Sequence, residues 1–384
     1  MHKEKSHIMI DKKFIEGLKP AELELISSYI CDLVRKKVTP QTSNHENMEV
    51  NCCPECGSLH FVRNGHDPKG RQKYLCKDCK ASFRSVSDTL FYRSRISYND
   101  WTSFIAAELN GLTLEEESVQ ISRSVTTCFH MRHKLYKAIE EIMDSKLNGL
   151  IELDPTYEPI NLKGTKPQDM PRLSKKRGKG NSHKGKQGFN EHHICILGAI
   201  DDNDHMMLQI MGLGMESQDK LDNFASFFVK GSTIVSDGKK CILNFTKDHH
   251  MNSDVIPVIG GKKRYKTDKD NSLASVNQLH QEIELLKYKK HGVSTRHLQG
   301  YLNWILFKKK IRYHYEARSR KSEAYMKTVF LHKPFDNYDI CKLDMPVDLY
   351  KAYGQYHYGI FSNGNPYPQG MYDNNGLLNK NYQS

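Results

Sequence analysis

The chain has 384 residues, more than a single domain of roughly 100 to 150 residues usually holds, which leaves room for two or three. Its 57 Lys and Arg outweigh 45 Asp and Glu, and the resulting formal charge of +12 favours polyanionic partners, nucleic acid first among them. The longest apolar run, ICILGAI, is far too short to span a bilayer and the N-terminus lacks the apolar stretch of a signal peptide, so no membrane partner is expected and a cytoplasmic, nucleoid-associated protein is.

In chain order, residues 1–49 read as an N-terminal helical segment and linker: FIEGLKPAELELISSYICDLVRKK has an amphipathic helical period, and the polar QTSNHENMEV follows. Cysteines then crowd together. Cys53 and Cys56 form one C-x-x-C knuckle and Cys76 and Cys79 another, the spacing of a four-thiolate structural zinc site in a ribbon over residues 50–88. Cys52 breaks the knuckle spacing and is set aside. Between the knuckles Arg63, Lys69, Arg71 and Lys73 alternate with Phe61 and Tyr74, which makes either a strip that lies along phosphates or a solvated hairpin face.

Residues 89–147 read as helical, with Trp101, Phe104, Ile105 and Leu109 at helix spacing and a break at Asn110-Gly111. LTLEEESVQI, the polar SRS and SVTTCFHMRHKLYKAIEEIM then have the lengths of a helix-turn-helix whose second helix carries His130, Arg132, His133 and Lys134. A plain helical hairpin within a bundle has the same pattern.

From residue 148 the pattern becomes an α/β alternation: LIEL, HICILGAI and MMLQIMG as strands, SQDKLDNFASFFV as a helix, then STIVSDG. That order is the one expected of a ribonuclease-H-like domain, spanning residues 148–318, with acidic residues at adjacent strand ends. Asp154 ends the first strand and Asp237 the fourth. Side by side, two such carboxylates would bind a hard divalent cation; taken singly, each is better read as a turn or cap residue. Residues 162–190 insert nine Lys and Arg against the single acid Asp169, either a basic arm that neutralises phosphates or a solvated linker. Residues 319–384 form a C-terminal tail, polar and then rich in Tyr, Asn and Gly, and are expected to be poorly ordered.

Taken together, CPECG, YLCKDC, LIELDPTY, the basic MPRLSKKRGKGNSHKG, TIVSDG and VNQLHQEIELLKYKKHGVSTRHLQGYLNWILF resemble an insertion-sequence transposase of the DDE superfamily. The likeness is to the ISXO-like group, with a zinc ribbon and helix-turn-helix before a ribonuclease-H-like catalytic domain, and it covers roughly residues 50–312. It implies that Asp154 and Asp237 are metal-binding acids and that the third ligand lies on a helix beginning near Ser275. Here the chain departs from the superfamily, because the slot where many relatives carry Glu holds His280. On a helix Asn277, His280, Glu284 and Lys287 share one face, so Asn277 and Glu284 stand as alternative third ligands. Lys287 resembles the superfamily's basic residue that contacts substrate phosphate.

The resemblance further implies a transposase of a bacterial or archaeal insertion sequence that binds double-stranded DNA at element ends and at the target. It would cut and join strands with Mg²⁺ or Mn²⁺, as a homo-oligomer in the synaptic complex, beside a structural Zn²⁺. The alternatives are a catalytically decayed or repurposed zinc-ribbon DNA-binding protein, and a related nuclease that cuts without joining.

Overall fold

The computed structural model describes residues 50, 52–68, 70–85, 95–142, 146–165, 191–259, 262–263, 265–315, 343–353 and 367–379. The N-terminal helical segment, most of the polar linker, Lys69 and residues 166–190 of the basic insertion lie outside them. The chain divides into two compact units, residues 1–86 and 87–384.

In the first unit β1 (Phe61–His66), β2 (Gln72–Cys76) and β3 (Ser82–Phe83) form an antiparallel sheet in that order. So few residues bury little surface, and the core is correspondingly small: Cys53, Cys76 and Phe83, with Phe61 and Tyr74 packed against them. The rings of Phe61, Tyr74 and Phe83 lie 5.7 Å apart, pair by pair. Phe61 and Tyr74, read above as the aromatic members of a phosphate strip, are therefore half-buried residues that pack against this core. Arg71 is likewise committed, to Asp67 at 2.7 Å.

The second unit opens with three helices. Ser97 caps α1 (Tyr98–Asn110) by accepting the Asp100 N–H at 3.1 Å, and Gly111, at φ 81°, ends it. Thr113 and Glu116 form a capping box on α2 (Leu114–Ile121), and α3 (Val125–Ile142) follows a three-residue turn. Trp101, Phe104 and Ile105 are buried, as their spacing requires.

Arg132 and His133 differ from the DNA-facing reading of α3. Both are buried, at 2% and 7% exposure. Arg132 is held by Glu108 and by Glu117 at 2.6 Å, two fully buried acids that no solvent screens, and Lys290 joins Glu108 at 3.3 Å. Helical charge spacing alone does not tell an outward arginine from one that turns inward to meet acids far away in sequence.

The sheet that follows comprises β4 (Leu150–Pro159), β5 (His193–Asp201), β6 (Met206–Leu213), β7 (Thr233–Ser236) and β8 (Asn252–Val255), in the order β6-β5-β4-β7-β8. Strands β4, β5 and β6 are antiparallel, whereas β7 runs parallel to β4 and β8 parallel to β7. Its core holds Ile151, Leu153, Leu197, Ile234 and Phe245. The stretch SQDKLDNFASFFV yields only a short α4 (Gln218–Asp222) and a 3₁₀ turn, Ala225–Phe227. The reason is competition for its backbone, since Leu147 donates to the Phe227 carbonyl at 2.8 Å and forms a parallel bridge with Phe228. Strand β8, sequence NSDV, has no apolar run to announce it.

Helix α5 (Lys240–Asp248) links β7 to β8, and the small hairpin β9 (Val258–Ile259) and β10 (Lys262–Lys263) precedes α6 (Ala274–Lys289). A 3₁₀ turn, Thr295–His297, leads into α7 (Leu298–Tyr315). Past it, α8 (Leu349–Tyr353) and the bridges Val347↔Leu377 and Tyr372↔Leu378 make the described part of the expected tail a packed element. Met345, Val347, Leu349 and Met371 are buried there, and Leu213 donates to the Asn375 carbonyl at 3.2 Å. Composition missed it because the bridging residues lie far apart in sequence.

Candidate functional site

Alternation along β4 puts Ile151 and Leu153 into the core and Glu152, Asp154 and Glu158 on the face towards α6. Each of those three acids meets α6 at a successive level. Glu152 accepts the N–H groups of Ser275 at 2.8 Å and Val276 at 3.0 Å, capping the helix. Asp154 Oδ2 lies 3.8 Å from His280 Nδ1, and Glu158 holds Lys287 at 2.7 Å. Strand and helix therefore run in the same direction with matched rise. Two residues of strand and about four and a half of helix both advance by about 7 Å, which brings Asp154 level with His280.

Glycine makes the room. Gly198 pairs across from Asp154 in the β4–β5 ladder, and a Cβ there would sit 2.8 Å from His280 Nε2. The Nε2 atom is buried and has no hydrogen-bond partner among the described residues. Burial also holds the His280 imidazole below its ordinary pKa, so the ring is neutral at pH 7 and offers lone-pair density.

Asp237 follows β7 directly. The parallel register pairs Glu152 with Val235, and two further residues along both strands bring Asp154 across from Asp237. Gly238, at φ 77°, turns the chain there, where any Cβ would collide with Val255 of β8. Lys239 lies over this edge, paired with the buried Glu216 and 3.9 Å from Asp237. Burial opposes its charge, but Glu216, Asp237 and Asp154 outweigh burial and hold its pKa above the ordinary value.

The remaining residues singled out from the sequence divide clearly. Asn277 is exposed on α6. Glu284 is 69% exposed and tied to Lys287 at 2.9 Å, facing away from Asp154. Lys287 is shared between Glu158 and Glu284, which outweigh burial and raise its pKa. Sequence reading missed Glu152, Glu158, Gly198, Lys239 and Glu216; for the first two, the alternation in LIELDPTYEP was the available signal.

In the ribbon, Cys53 Sγ lies 3.6 Å from Cys79 Sγ, and Cys56 Sγ 3.7 Å from Cys76 Sγ. A tetrahedral zinc with bonds of about 2.3 Å sets its sulfurs about 3.8 Å apart, so the cluster fits the ion. Backbone amides of Cys79 and Asp78 hold the Cys76 thiol down to about 6, whereas at Cys79 the Ala81 amide is outweighed by the neighbouring sulfurs, which push that thiol up, so that within the crowded set Cys76 takes the thiolate form more readily than Cys79. Among the described residues these cysteines are the group of three or more ligating side chains whose donor atoms all lie within 4.8 Å of one another; Asp154, Asp237 and His280 are not drawn that close. Two carboxylates with a neutral imidazole nonetheless form a donor set suited to a hard or borderline divalent cation.

Asp154 does not end its strand as the sequence suggested, because β4 continues to pair with β5 as far as Pro159. A four-cysteine ribbon followed by a mixed α/β domain, with Asp154 in the middle of β4 and Asp237 just past the parallel β7, defines a zinc-ribbon protein with a polar site on its sheet. Residues 146–310 match the family model of the ISXO2-like transposase domain, and residues 49–80 that of the InsA N-terminal zinc-ribbon domain. The α/β domain is thereby similar to the ISXO2-like transposase domain. It is 25% identical over 150 residues to an uncharacterized protein in transposable element ISH50 of Halobacterium salinarum, an alignment covering 39% of this chain. The chain spans about half, 49%, of that relative's length. A solved structure of a pre-cleavage Mos1 transpososome is 10% identical, covering 64% of this chain and 82% of that one; at a TM-score of 0.17 the likeness carries no argument about the fold. Among the described residues no helix is long and apolar enough to cross a membrane.

Proposed function

We propose that the protein is the transposase of an insertion sequence, binding the element's double-stranded DNA ends and catalysing metal-dependent strand cleavage and strand transfer into target DNA. The observation that carries the reading is the approach of His280 to Asp154 at 3.8 Å beside Asp237, within a domain of the ISXO2-like family. The order β6-β5-β4-β7-β8, with its parallel β4, β7 and β8, supports a ribonuclease-H-like catalytic domain.

Asp154, Asp237 and His280 would hold the catalytic cation. A bound Mg²⁺ or Mn²⁺ supplies Lewis-acid stabilisation of the phosphodiester oxygens and makes water a stronger nucleophile. The chain's own groups do the positioning. Lys287 is placed to exchange Glu284 for a backbone phosphate, while Glu158 keeps its ammonium oriented. The zinc ribbon and the α2–α3 pair, whose lengths support a helix-turn-helix, would hold the element end; because Arg132 and His133 are buried, contact falls to the exposed start of α3 around Val125 and Thr126. Strand transfer requires two ends at once, hence a homo-oligomer in the synaptic complex.

The pairing of Lys239 with Glu216 beside Asp237 favours a second reading, a DNA-binding protein whose acidic edge is neutralised from within. The two separate on one assay. Purified protein is incubated with linear DNA bearing the element's terminal sequences and Mg²⁺ or Mn²⁺. Nicking at the element boundary with joined products is expected. Bound but uncut DNA with either metal would establish the second reading instead.

A further inference from the structure

Away from the carboxylates, the middle of α3, the turn after β4 and the α6–α7 connection enclose a cavity of about 430 Å³, well within the range of about 300–1,000 Å³ for small-molecule sites. One wall is made of rings. His133 and His297 stack at 4.0 Å, Phe129 meets them edge-on at 4.4 and 5.4 Å, and Tyr301 lies 5.8 Å from His133. Burial, with Arg296 alongside, holds His297 down to about 4, and burial keeps His133 well below its ordinary value. Both rings are thus neutral at pH 7, which removes repulsion from the stack. His133 is more than nine-tenths buried, yet its Nε2 has no hydrogen-bond partner among the described residues.

Charge at the cavity is unevenly spent. Arg132 and Lys290, on its floor, are matched by Glu108 and Glu117. Glu115 also lines the cavity, yet no ion pair to a carboxylate is formed by Lys163 or Arg296 among the described residues; Lys163 Nζ makes only long contacts, 3.4 and 3.5 Å, to the carbonyls of His291 and Gly292. A flat aromatic wall, an orphan ring nitrogen behind it and two cations without a carboxylate partner match a ligand with a planar heterocycle and a phosphate.

We propose that this cavity holds one nucleotide unit, its base against the Phe129–His297 wall and its phosphate on Lys163 and Arg296. Two sources share that chemistry, a free mononucleotide and a nucleotide extruded from a DNA strand. Helix α6 connects the cavity to the acidic edge: ten residues separate His280 from Lys290, about 15 Å, or roughly four base steps at 3.4 Å each. A strand with a phosphodiester at Asp154 would reach the cavity a few nucleotides away. That second source rests on the transposase reading, whereas the first does not.

Full-length protein in buffer free of divalent cations would be titrated calorimetrically with 5′-dAMP, 5′-dTMP, inorganic phosphate and a short single-stranded oligonucleotide. Oligonucleotides carrying 5-iododeoxyuridine at successive positions would then be irradiated and the attached peptide identified by mass spectrometry. Arg296→Ala and Lys163→Ala should each weaken nucleotide binding roughly tenfold, the loss of one charge-assisted hydrogen bond. Lys163 is exposed, so its variant retains the fold, and Phe129→Leu tests the ring wall separately. Mononucleotide binding that the variants weaken identifies the free ligand. Oligonucleotide binding alone, with cross-links to Phe129 or Tyr301, identifies the strand. Affinities unchanged in both charge variants, or phosphate bound as tightly as the mononucleotide, overturn the proposal. The assay contains neither metal nor element sequence, so a chain that binds nucleotides but never cuts DNA leaves the cavity assignment standing and sinks only the catalytic reading.

Discussion

Gly198 has no side chain, and the imidazole of His280 stands where a Cβ would be, 2.8 Å from Nε2. Gly198→Ala should therefore push the ring off Asp154 and lower DNA cleavage at least tenfold, with circular dichroism unchanged because Ala adopts the extended backbone of a strand without strain; wild-type cleavage would show that the ring position does not matter. His280→Ala should remove activity, while Glu284→Gln, on a carboxylate turned to solvent and Lys287, should retain most of it. The opposite pattern would make Glu284 the ligand. His280 came from the resemblance, which puts it in the third-acid slot, whereas the helical face alone left Asn277 and Glu284 open beside it. Gly198 was not, since a glycine inside HICILGAI gains meaning only from the β4–β5 register that sets it opposite Asp154.

At the scale of elements, the agreement between β4 and α6 places the site: three polar contacts at Glu152, Asp154 and Glu158 lock one register. The alternation was visible in LIELDPTYEP, but its purpose needed the helix packed on that face. Helix α3 shows the converse case, where basic residues at outward-looking spacing proved buried. Arg132→Leu leaves Glu108 and Glu117 with Lys290 as their cation and the Tyr136 hydroxyl as a neutral donor, and breaking a buried pair in this way costs about 3–5 kcal/mol. Hydrogen exchange across α1–α3 should accelerate by about a hundredfold or more; unchanged protection would mean that the network adds nothing. The ribbon's four thiols predict one zinc per chain. Chelation, or Cys76→Ser, should expose β1–β3 to proteolysis and weaken binding of element ends while leaving the α/β domain protected. Folded protein lacking zinc would contradict this.

Over the whole molecule, a charge of +12 would serve the attraction to DNA that the proposed function requires but not chemistry on it. Under the proposed function, chemistry is assigned to the central strand of one sheet and the parallel strand beside it, and recognition to the ribbon and the α2–α3 pair. That division of labour makes the central claim testable by separating cutting from holding. The direct measurement compares wild-type, Asp154→Asn and Asp237→Asn proteins on element-end DNA, recording cleavage with Mg²⁺ or Mn²⁺ and binding by mobility shift on the same samples. Because the carboxylates serve cation binding and not recognition, both variants should bind as wild type does and lose cleavage by a factor of about a thousand or more. Wild-type cleavage by either variant would contradict the account.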